Sequence, residues 1–321
     1  MSVSKMSEGD ATGTNHKIVR IGDLPSADSI EFHDTSFFQK VGAKFPSPQE
    51  IREKGAELYD DRARGTRPPP VPYEELGLAI KYGSEITIAE AQCLWFFSRH
   101  MKTEVPTPEL FAWCHDGGET FIFMELVEGE TLADAWSSLS PEDLDTICGQ
   151  LRTSVEAWRS LLQEKEPYYV GHIGGQGVGD IIFSDAEDPH TGPFENLTLF
   201  HDFFARYCCP FNPVPNPRDK YPELVGMNDD RPVVFTHADL DRSNIIIKPR
   251  EGDTPPCVVA IIDWHQSGWY PEGWEWMKAQ GLCDCIEEGG RDTAWLKKII
   301  SPANLRYQYA WSYVIHCCGW G

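Results

Sequence analysis

The pattern of apolar and polar residues in the first half of the chain predicts a strand, a helix and a second strand. Leu76–Tyr82 is a short apolar run that ends at Gly83, which is typical of a β-strand. From Thr87 to Phe97 the apolar residues recur at helical spacing, and Thr87 with Glu90 has the pattern of a capping box. A second apolar run, Glu119–Val127, predicts the next strand.

The residues before this unit predict less regular structure. Residues 1 to about 30 are rich in Ser, Gly, Asp and Thr without periodicity, so we expect a flexible leader. Ser47, Pro48 and Glu50 form an N-terminal signature with a capping box, which predicts the start of a helix. The proline-rich run 68–72 predicts an extended connector.

The second half of the chain predicts mainly helices and one hairpin. An amphipathic pattern predicts a long helix from Pro141 to about Gln163. Asn244–Lys248 and Cys257–Asp263 are β-branched runs joined by a polar link, which predicts a hairpin. The fold class is therefore predicted as α+β and bilobal, with a leader at 1–30, a sheet-plus-helix lobe at 31–127 and a larger, mainly helical lobe at 128–321.

The charge of the chain narrows the classes of partner. The chain has 28 Lys and Arg against 50 Asp and Glu, a net charge of −22, which argues against nucleic acid and anionic membranes as partners. No window approaches the about 20 apolar residues of a membrane span, and the polar N-terminus has no signal core, so we expect a cytoplasmic protein. The acidic balance favours a cationic acceptor. Acidic residues of the C-terminal region could contact this acceptor, or they could form a solvated surface: Glu272, Glu275, Asp284, Glu287 and Glu288.

A dense polar cluster stands next to the predicted hairpin. His237, Asp239 and Asn244 have the spacing H-x-D-x-x-x-x-N, and Asp263 follows the second hairpin strand. Because a hairpin brings its two ends together, Asn244 and Asp263 should face the same small volume. Carboxylate and amide oxygens suit Mg²⁺, and this arrangement matches the catalytic loop and metal-binding Asp of kinase-type phosphoryl transfer.

Such chemistry also needs a cation on the phosphates and a partner that holds it. Lys81 ends the first predicted strand, and Glu90 lies nine residues later on the following helix, which is the required pair. The alternative is a solvated Lys and a helix-capping Glu.

The chain resembles the aminoglycoside phosphotransferase/choline kinase-like family, and in particular its fungal members of unassigned substrate. The resemblance covers about residues 35–285, with the motifs in the family's order. It implies a protein-kinase-like fold and ATP or GTP, with Mg²⁺, as the phosphoryl donor. The motifs that carry it lie at 78–83, 87–95, 123–132, 192–194, 235–245, 262–264, 268–271 and 274–275.

The resemblance also implies roles for single residues. Asp239 would orient or deprotonate the acceptor hydroxyl, and Asn244 and Asp263 would hold Mg²⁺. Lys81, steadied by Glu90, would contact the α and β phosphates. The backbone from Glu125 to Val127 would meet the nucleobase, and His237 would support the catalytic loop.

Three features depart from the family's pattern. The glycine-rich turn that covers the phosphates is not evident, since residues 57–75 offer only Gly65 among Arg62, Arg64 and Arg67. Asp241 stands where protein kinases carry a Lys, which argues against a protein substrate. His265 stands where fungal relatives usually have Glu, and it could bind substrate or simply pack.

Two other functions remain open at this point. The missing glycine turn would fit a kinase-like binding protein with impaired catalysis, a pseudokinase. Alternatively, His237 and Asp239 with Asp263 and His265 could ligate transition metals in a metal-dependent hydrolase. The sequence identifies neither the acceptor nor the oligomeric state.

Overall fold

The computed structural model of the chain describes residues 17–60, 65–164, 168–183, 191–208, 214, 216–281 and 294–317. Its first lobe is built around a five-stranded antiparallel sheet with the strand order β2-β5-β6-β4-β3. The strands are β2 (Ile30–Glu31), β3 (Val71–Tyr73), β4 (Leu78–Gly83), β5 (Leu110–Asp116) and β6 (Glu119–Glu125). The predicted connector at 68–72 thus enters the sheet as the short strand β3.

Within the described part of this lobe, two helices flank the sheet. Helix α1 (Pro48–Leu58) begins with the predicted capping box, in which the Ser47 side chain and Glu50 exchange hydrogen bonds. Helix α2 (Ile88–His100) lacks the predicted one, because the Thr87 side chain makes no capping hydrogen bond and Glu90 is turned inward. Alternation along β4 places Leu78, Ile80 and Tyr82 in one small core, so that Lys81 faces the opposite side of the sheet.

The start of the described chain differs from the predicted flexible leader. Residues 1–16 lie outside the described residues, but strand β1 (Ile18–Val19) pairs in parallel with β8 (Leu162–Gln163). Because Leu162 and Gln163 join this pair, the long helix ends at Arg159 and not near Gln163. Gln92 further holds the segment by donating from its side-chain nitrogen to the Pro25 carbonyl at 2.9 Å.

Among the described residues, the second lobe contains most of the helices and, besides the β1–β8 pair, two small groups of paired strands. Strand β7 (Glu130–Thr131) extends the predicted hairpin of β10 (Ile245–Lys248) and β11 (Cys257–Ile261), and β9 (Val233–Thr236) pairs with β12 (Gly268–Pro271). The helices are α3 (Leu132–Ala135), α4 (Pro141–Arg159), α5 (Leu197–Arg206), α6 (Pro217–Lys220), α7 (Trp274–Gly281), α8 (Leu296–Ile299) and α9 (Leu305–Cys317).

Aromatic side chains form the centre of this lobe. Trp158, on the buried face of α4, packs edge-on against Trp264 with ring centroids 5.4 Å apart. Trp269, Tyr270 and Trp274 are also fully buried. Side chains of this size remove much apolar surface from water, so they fix how the loops between them are placed.

The predicted α+β, bilobal fold is confirmed by this arrangement of a sheet-plus-helix lobe and a mainly helical lobe. Within the described ranges, no helix has both the length and the apolar character needed to cross a membrane.

Candidate active site

Two loops of the second lobe meet beside the β10–β11 hairpin. The register pairs Ile245 with Ile261, and the Ile262 N–H donates to the Asn244 carbonyl at 2.9 Å. The residue before β10 and the residues after β11 are therefore neighbours. This places Asn244 next to the loop that carries Asp263, as the hairpin argument predicts.

Asp239 and Asn244 are joined within the first loop. The Asn244 side-chain nitrogen donates to the Asp239 carbonyl at 2.9 Å and to its Oδ2 at 3.0 Å. A short 3-10 turn, Arg242–Asn244, presents Asn244, and Asp241 caps this turn through the Ser243 N–H. Because the amide nitrogen is engaged, the amide oxygen is the atom with which Asn244 could bind a cation.

Lys81 links the two lobes at the site. Its Nζ lies 2.6 Å from Glu90 Oε1 on helix α2 and 2.6 Å from Asp263 Oδ1 in the second lobe. Only 10% of the Lys81 side chain and 2% of the Glu90 side chain are exposed, so the solvated alternative does not describe this pair. Burial alone would lower the pKa of Lys81, but the two carboxylates raise it, and the amine remains charged.

Asp263 stands at a bend that turns its side chain and His265 toward one another. Its φ of 63° lies in the left-handed region, which Asp tolerates better than most residues. A 3-10 turn, Trp264–Gln266, follows, and His265 Nδ1 lies 2.8 Å from Asp263 Oδ1. One ligand atom from each of Asp239, Asp263 and His265 can be chosen so that all three lie within 4.8 Å of one another.

The pKa values of the two aspartates move in opposite directions. Burial raises the pKa of Asp239, and the neighbouring charge of Asp263 adds to this effect. Burial would also raise the pKa of Asp263, but Lys81 and His265 outweigh it and hold that pKa well below its usual range. Two carboxylates in different environments can take different roles, with Asp263 as the fixed anion and Asp239 as the better proton acceptor.

His237 supports the loop, and both of its ring nitrogens are engaged. Its Nδ1 accepts the Asp239 N–H at 3.2 Å, while Nε2 lies 3.0 Å from the Ile262 carbonyl and donates to it. Burial lowers the pKa of His237 to about 4, so the ring is neutral at pH 7. The hydrogen bond from His237 Nε2 to the Ile262 carbonyl also joins the loop before β10 to the loop after β11.

Glu275 holds the same loop from helix α7. Its two carboxylate oxygens accept the N–H of His237 at 2.7 Å and the N–H of Ala238 at 3.0 Å. Ala238 has a φ of 62°, a left-handed conformation that costs about 1–2 kcal/mol for a residue with a Cβ. The sequence pattern placed Glu275 among acceptor-facing or surface acids, but its side chain is fully buried beneath the loop.

A buried ion pair next to Asp239 was not predicted from the sequence. Lys278 Nζ lies 2.6 Å from Asp180 Oδ1 and also donates to Gln266 Oε1 at 2.8 Å. The other Asp180 oxygen accepts the Trp274 indole N–H at 2.9 Å. No motif signals this pair, since a single Lys and a single Asp 98 residues apart have no pattern in common.

The two hinge candidates lie apart from this cluster. Glu125 ends β6 opposite Leu78, three residues before Lys81 along β4. Its N–H donates to the Glu109 carbonyl at 2.9 Å, and the Leu126 N–H donates to the Gly77 carbonyl at 3.0 Å. Val127 follows at the start of the connection between the lobes, and a contact of this backbone with a nucleobase stays a prediction.

Other candidates are only partly covered by the described residues. Arg62 and Arg64 lie outside them, as do Asp284, Glu287 and Glu288. Glu272 is exposed, and its carboxylate lies 3.4 Å from Arg231 Nη1.

Comparison with known proteins finds similarity to solved structures. No family model matches the chain, and no curated protein matches it. The chain is similar to the aminoglycoside phosphotransferase APH(4)-Ia, with 14% identity, 62% of each chain covered and a TM-score of 0.40. It therefore spans less than two thirds of that protein, a mutant of which was solved in a ternary complex with ADP and hygromycin B.

Two further structures cover more of the chain. An aminoglycoside-3'-phosphotransferase of type VIII is 14% identical over 75% of this chain and 84% of its own, with a TM-score of 0.44. APH(3'')-Id from Streptomyces rimosus is 16% identical over 86% of this chain and 100% of its own, with a TM-score of 0.42. At such identities and scores, these likenesses assign neither an activity nor a substrate to this chain.

Proposed function

We propose that this protein is a phosphotransferase that moves the γ-phosphoryl group of ATP or GTP, bound with Mg²⁺, to a hydroxyl group of a small acceptor. One observation carries the proposal: Lys81 is buried between Glu90 of one lobe and Asp263 of the other, beside the joined pair of Asp239 and Asn244. A fixed cation facing two carboxylates and an amide is the arrangement that phosphoryl transfer requires.

Each residue supplies a separate part of the reaction. The acceptor oxygen forms a bond to the γ-phosphorus, the bond from that phosphorus to the β,γ-bridging oxygen breaks, and Asp239 takes the proton of the acceptor hydroxyl. Lys81 contacts the donor phosphates and balances their charge. The oxygen donors of Asn244 and Asp263 fit Mg²⁺, which neutralises charge on the phosphates when bound.

The proposal for the acceptor rests on charge. A chain with a net charge of −22 attracts cationic solutes, so we propose a hydroxylated amine as the acceptor class. Positioning by the loop and neutralisation of charge supply most of the rate acceleration in such a reaction.

The test is phosphate transfer from Mg-ATP or Mg-GTP to a panel of hydroxylated amines and neutral polyols, followed by mass spectrometry. We expect transfer by the wild type and a loss of at least about 100-fold in kcat for Asp239→Asn, because general-base catalysis contributes that much or more. Asp253→Asn, on the exposed hairpin link, is the matched control and should retain activity. Equal rates for Asp239→Asn and the wild type would contradict the proposal.

The connection at the edge of the sheet favours a second candidate function, that of a catalytically impaired nucleotide-binding protein. Within the described part of the chain, the short strand β3 is the last strand on the Lys81 side, and a tight 3-10 turn at Glu74–Leu76 joins it to β4. This connection offers no glycine-rich hairpin over the phosphates. Thermal stabilisation by Mg-ATP without transfer to any acceptor would select this candidate, since a ligand at 100 times its Kd stabilises a protein by about 2.7 kcal/mol.

A further inference from the structure

The site contains a nitrogen donor beside its two carboxylates. Among the described residues, Asp239, Asp263 and His265 bring one potential ligand atom each into a volume in which no two are more than 4.8 Å apart. Ligands on opposite sides of a first-row ion, with bonds of about 2.1 Å each, are separated by roughly 4.2 Å. The cluster is therefore close to the size that one ion needs.

The two histidines of the site differ in what their rings can do. Both nitrogens of His237 have backbone partners, so His237 has no free lone pair for a metal. His265 has one nitrogen against Asp263 at 2.8 Å, and its Nε2 is buried without a hydrogen-bond partner. The partner of His265 Nδ1 is a carboxylate and not the backbone, so His265 is the imidazole of this pair that can become a ligand together with Asp263.

The backbone around His265 is held firmly. Gln266, the next residue, is buried and accepts hydrogen bonds from Lys278 and from the Ile181 N–H. A Cβ at Gly179 would lie 2.7 Å from the His265 carbonyl oxygen, so the backbone at Gly179 packs directly on this backbone. Since 12% of the His265 side chain is exposed, the ring is restricted to a small range of positions.

We propose that Asp239, Asp263 and His265 form a divalent-cation site with two carboxylate ligands and one imidazole ligand, which binds Mn²⁺ and the later first-row ions more tightly than Mg²⁺. Carboxylate oxygens serve all of these ions, but an imidazole nitrogen favours the first-row transition ions over Mg²⁺. Ligation through Nδ1 replaces its hydrogen bond to Asp263 and moves the ring proton to Nε2, which has no acceptor among the described residues.

This inference deepens the proposed function, because the same ion would accompany the nucleotide phosphates. It changes the metal expected from the kinase-type motif, whose donors are carboxylate and amide oxygens, and it uses three of the four residues that the sequence also offers for a transition-metal site. It also changes the ligand set of the proposed function: Asp239 and His265 join Asp263, while Asn244 remains bonded to Asp239. Asp239 is then a ligand in addition to its proposed role as proton acceptor.

The test uses the full chain without nucleotide and with Mn²⁺ or Mg²⁺ alone. We expect Mn²⁺ to bind about tenfold or more tightly than Mg²⁺ by calorimetry, and electron spin-echo spectra of bound Mn²⁺ to show nitrogen modulation. His265→Glu should keep Mn²⁺ binding, lose the nitrogen modulation and gain affinity for Mg²⁺. His33→Gln, at a histidine with 72% of its side chain exposed, is the control and should retain the modulation.

The outcomes separate this site from the proposed function. Wild-type spectra without nitrogen modulation, or equal affinities for Mn²⁺ and Mg²⁺, would overturn the site even if phosphate transfer with Mg²⁺ were observed. Nitrogen-ligated Mn²⁺ in a protein that transfers no phosphate would support the site and contradict the phosphotransferase. The wild-type spectrum decides the question even if His265→Glu fails to fold.

Discussion

The loops at 237–244 and 262–266 differ sharply from the sheet edge at 66–77, although both border the position proposed for the nucleotide phosphates. In the loops, Asp239, Asn244 and Asp263 each have one or more partners among neighbouring side chains and backbone. At the edge, three residues of β3 and a short 3-10 turn precede β4. The edge has no comparable network of charged side chains within the described residues.

Under the proposed function, this difference separates the part of the site that is held firmly from the part that is not. The proposed cation binding and proton acceptance would depend on side chains whose positions are fixed by buried hydrogen bonds. Cover over the phosphates would depend on a connection that is short and acidic, with Glu74 and Glu75 in its turn. The proposed function predicts that substitutions in the two loops have the largest effects on stability and catalysis. The second candidate function predicts that the open sheet edge prevents phosphoryl transfer.

Replacing Lys81, which contacts the loop at 262–266 through Asp263, should give the largest loss of stability. In Lys81→Met, the Glu90 carboxylate remains buried and Asp263 loses its closest cation, so we expect a loss of about 3–5 kcal/mol in the free energy of unfolding. Urea denaturation measures this loss. Lys102→Met, at an exposed lysine of the same lobe, should change stability by less than about 0.5 kcal/mol. Similar values for both variants would mean that the bridge between the lobes contributes no stability.

Glu275 gives the next largest effect and makes the loop sensitive to pH. Complete burial raises the pKa of Glu275 to about 7, while the His237 and Ala238 N–H groups and Arg159 oppose the rise and Asp239 adds to it. Protonation removes one of the two acceptors, so we expect activity to rise with pH through about 7. In Glu275→Gln this dependence should disappear, because the amide, like the protonated carboxyl, offers one good acceptor at every pH. Glu272→Gln, at a neighbouring exposed Glu, is the control.

The same group has a defined effect on stability. Its pKa is raised above the ordinary value of 4.5, so the folded state holds a proton that the unfolded state releases first. Its contribution to the free energy of unfolding is therefore complete below about pH 4.5 and is lost as the pH rises to about 7. Chemical denaturation between pH 5 and 8 should show a loss in the wild type that Glu275→Gln lacks.

The smallest predicted effect concerns the sheet edge. Gly83 has a φ of 148°, and a Cβ there would lie 2.3 Å from the Thr66 carbonyl oxygen. Gly83→Ala should therefore cost about 1–3 kcal/mol in thermal or urea unfolding. Gly149→Ala, in helix α4 with nothing within 4 Å of the new Cβ, should instead gain about 0.5–1 kcal/mol. A neutral Gly83→Ala would show that the edge is not fixed against residue 66.

The sequence predicted those parts of the fold that depend on local patterns. Ser47 and Glu50 cap a helix because both partners lie within one turn, and the hairpin at 245–261 follows from β-branched runs around a polar link. The proximity of Lys81 to Glu90 could also be inferred, since a strand followed by a helix packed on it brings the two side chains together. These features need few distant contacts.

The remaining features depend on tertiary contacts that leave no periodic signal. The capping box predicted at Thr87 and Glu90 is not formed: the Glu90 carboxylate accepts from Lys81 instead of the helix N-terminus, and the Thr87 side chain makes no capping hydrogen bond. In the sequence, Glu275 cannot be distinguished from the other acidic residues of the C-terminal region. Its contact with the His237 N–H depends on how helix α7 packs against the loop. Lys278 and Asp180 come from segments far apart in the chain, so their burial could not be read from either segment.

The pairing of β1 with β8 has a mechanical consequence. The chain passes between the lobes at 125–130, and the segment from Val19 to Ile30 makes a second passage, anchored on the second lobe at one end and on the sheet at the other. This second passage adds to the Lys81–Asp263 ion pair and to the packing of Phe97 against Trp264, which also join the two lobes. Any opening of the cleft around Lys81 must therefore stretch the segment from Val19 to Ile30 as well as break contacts between side chains.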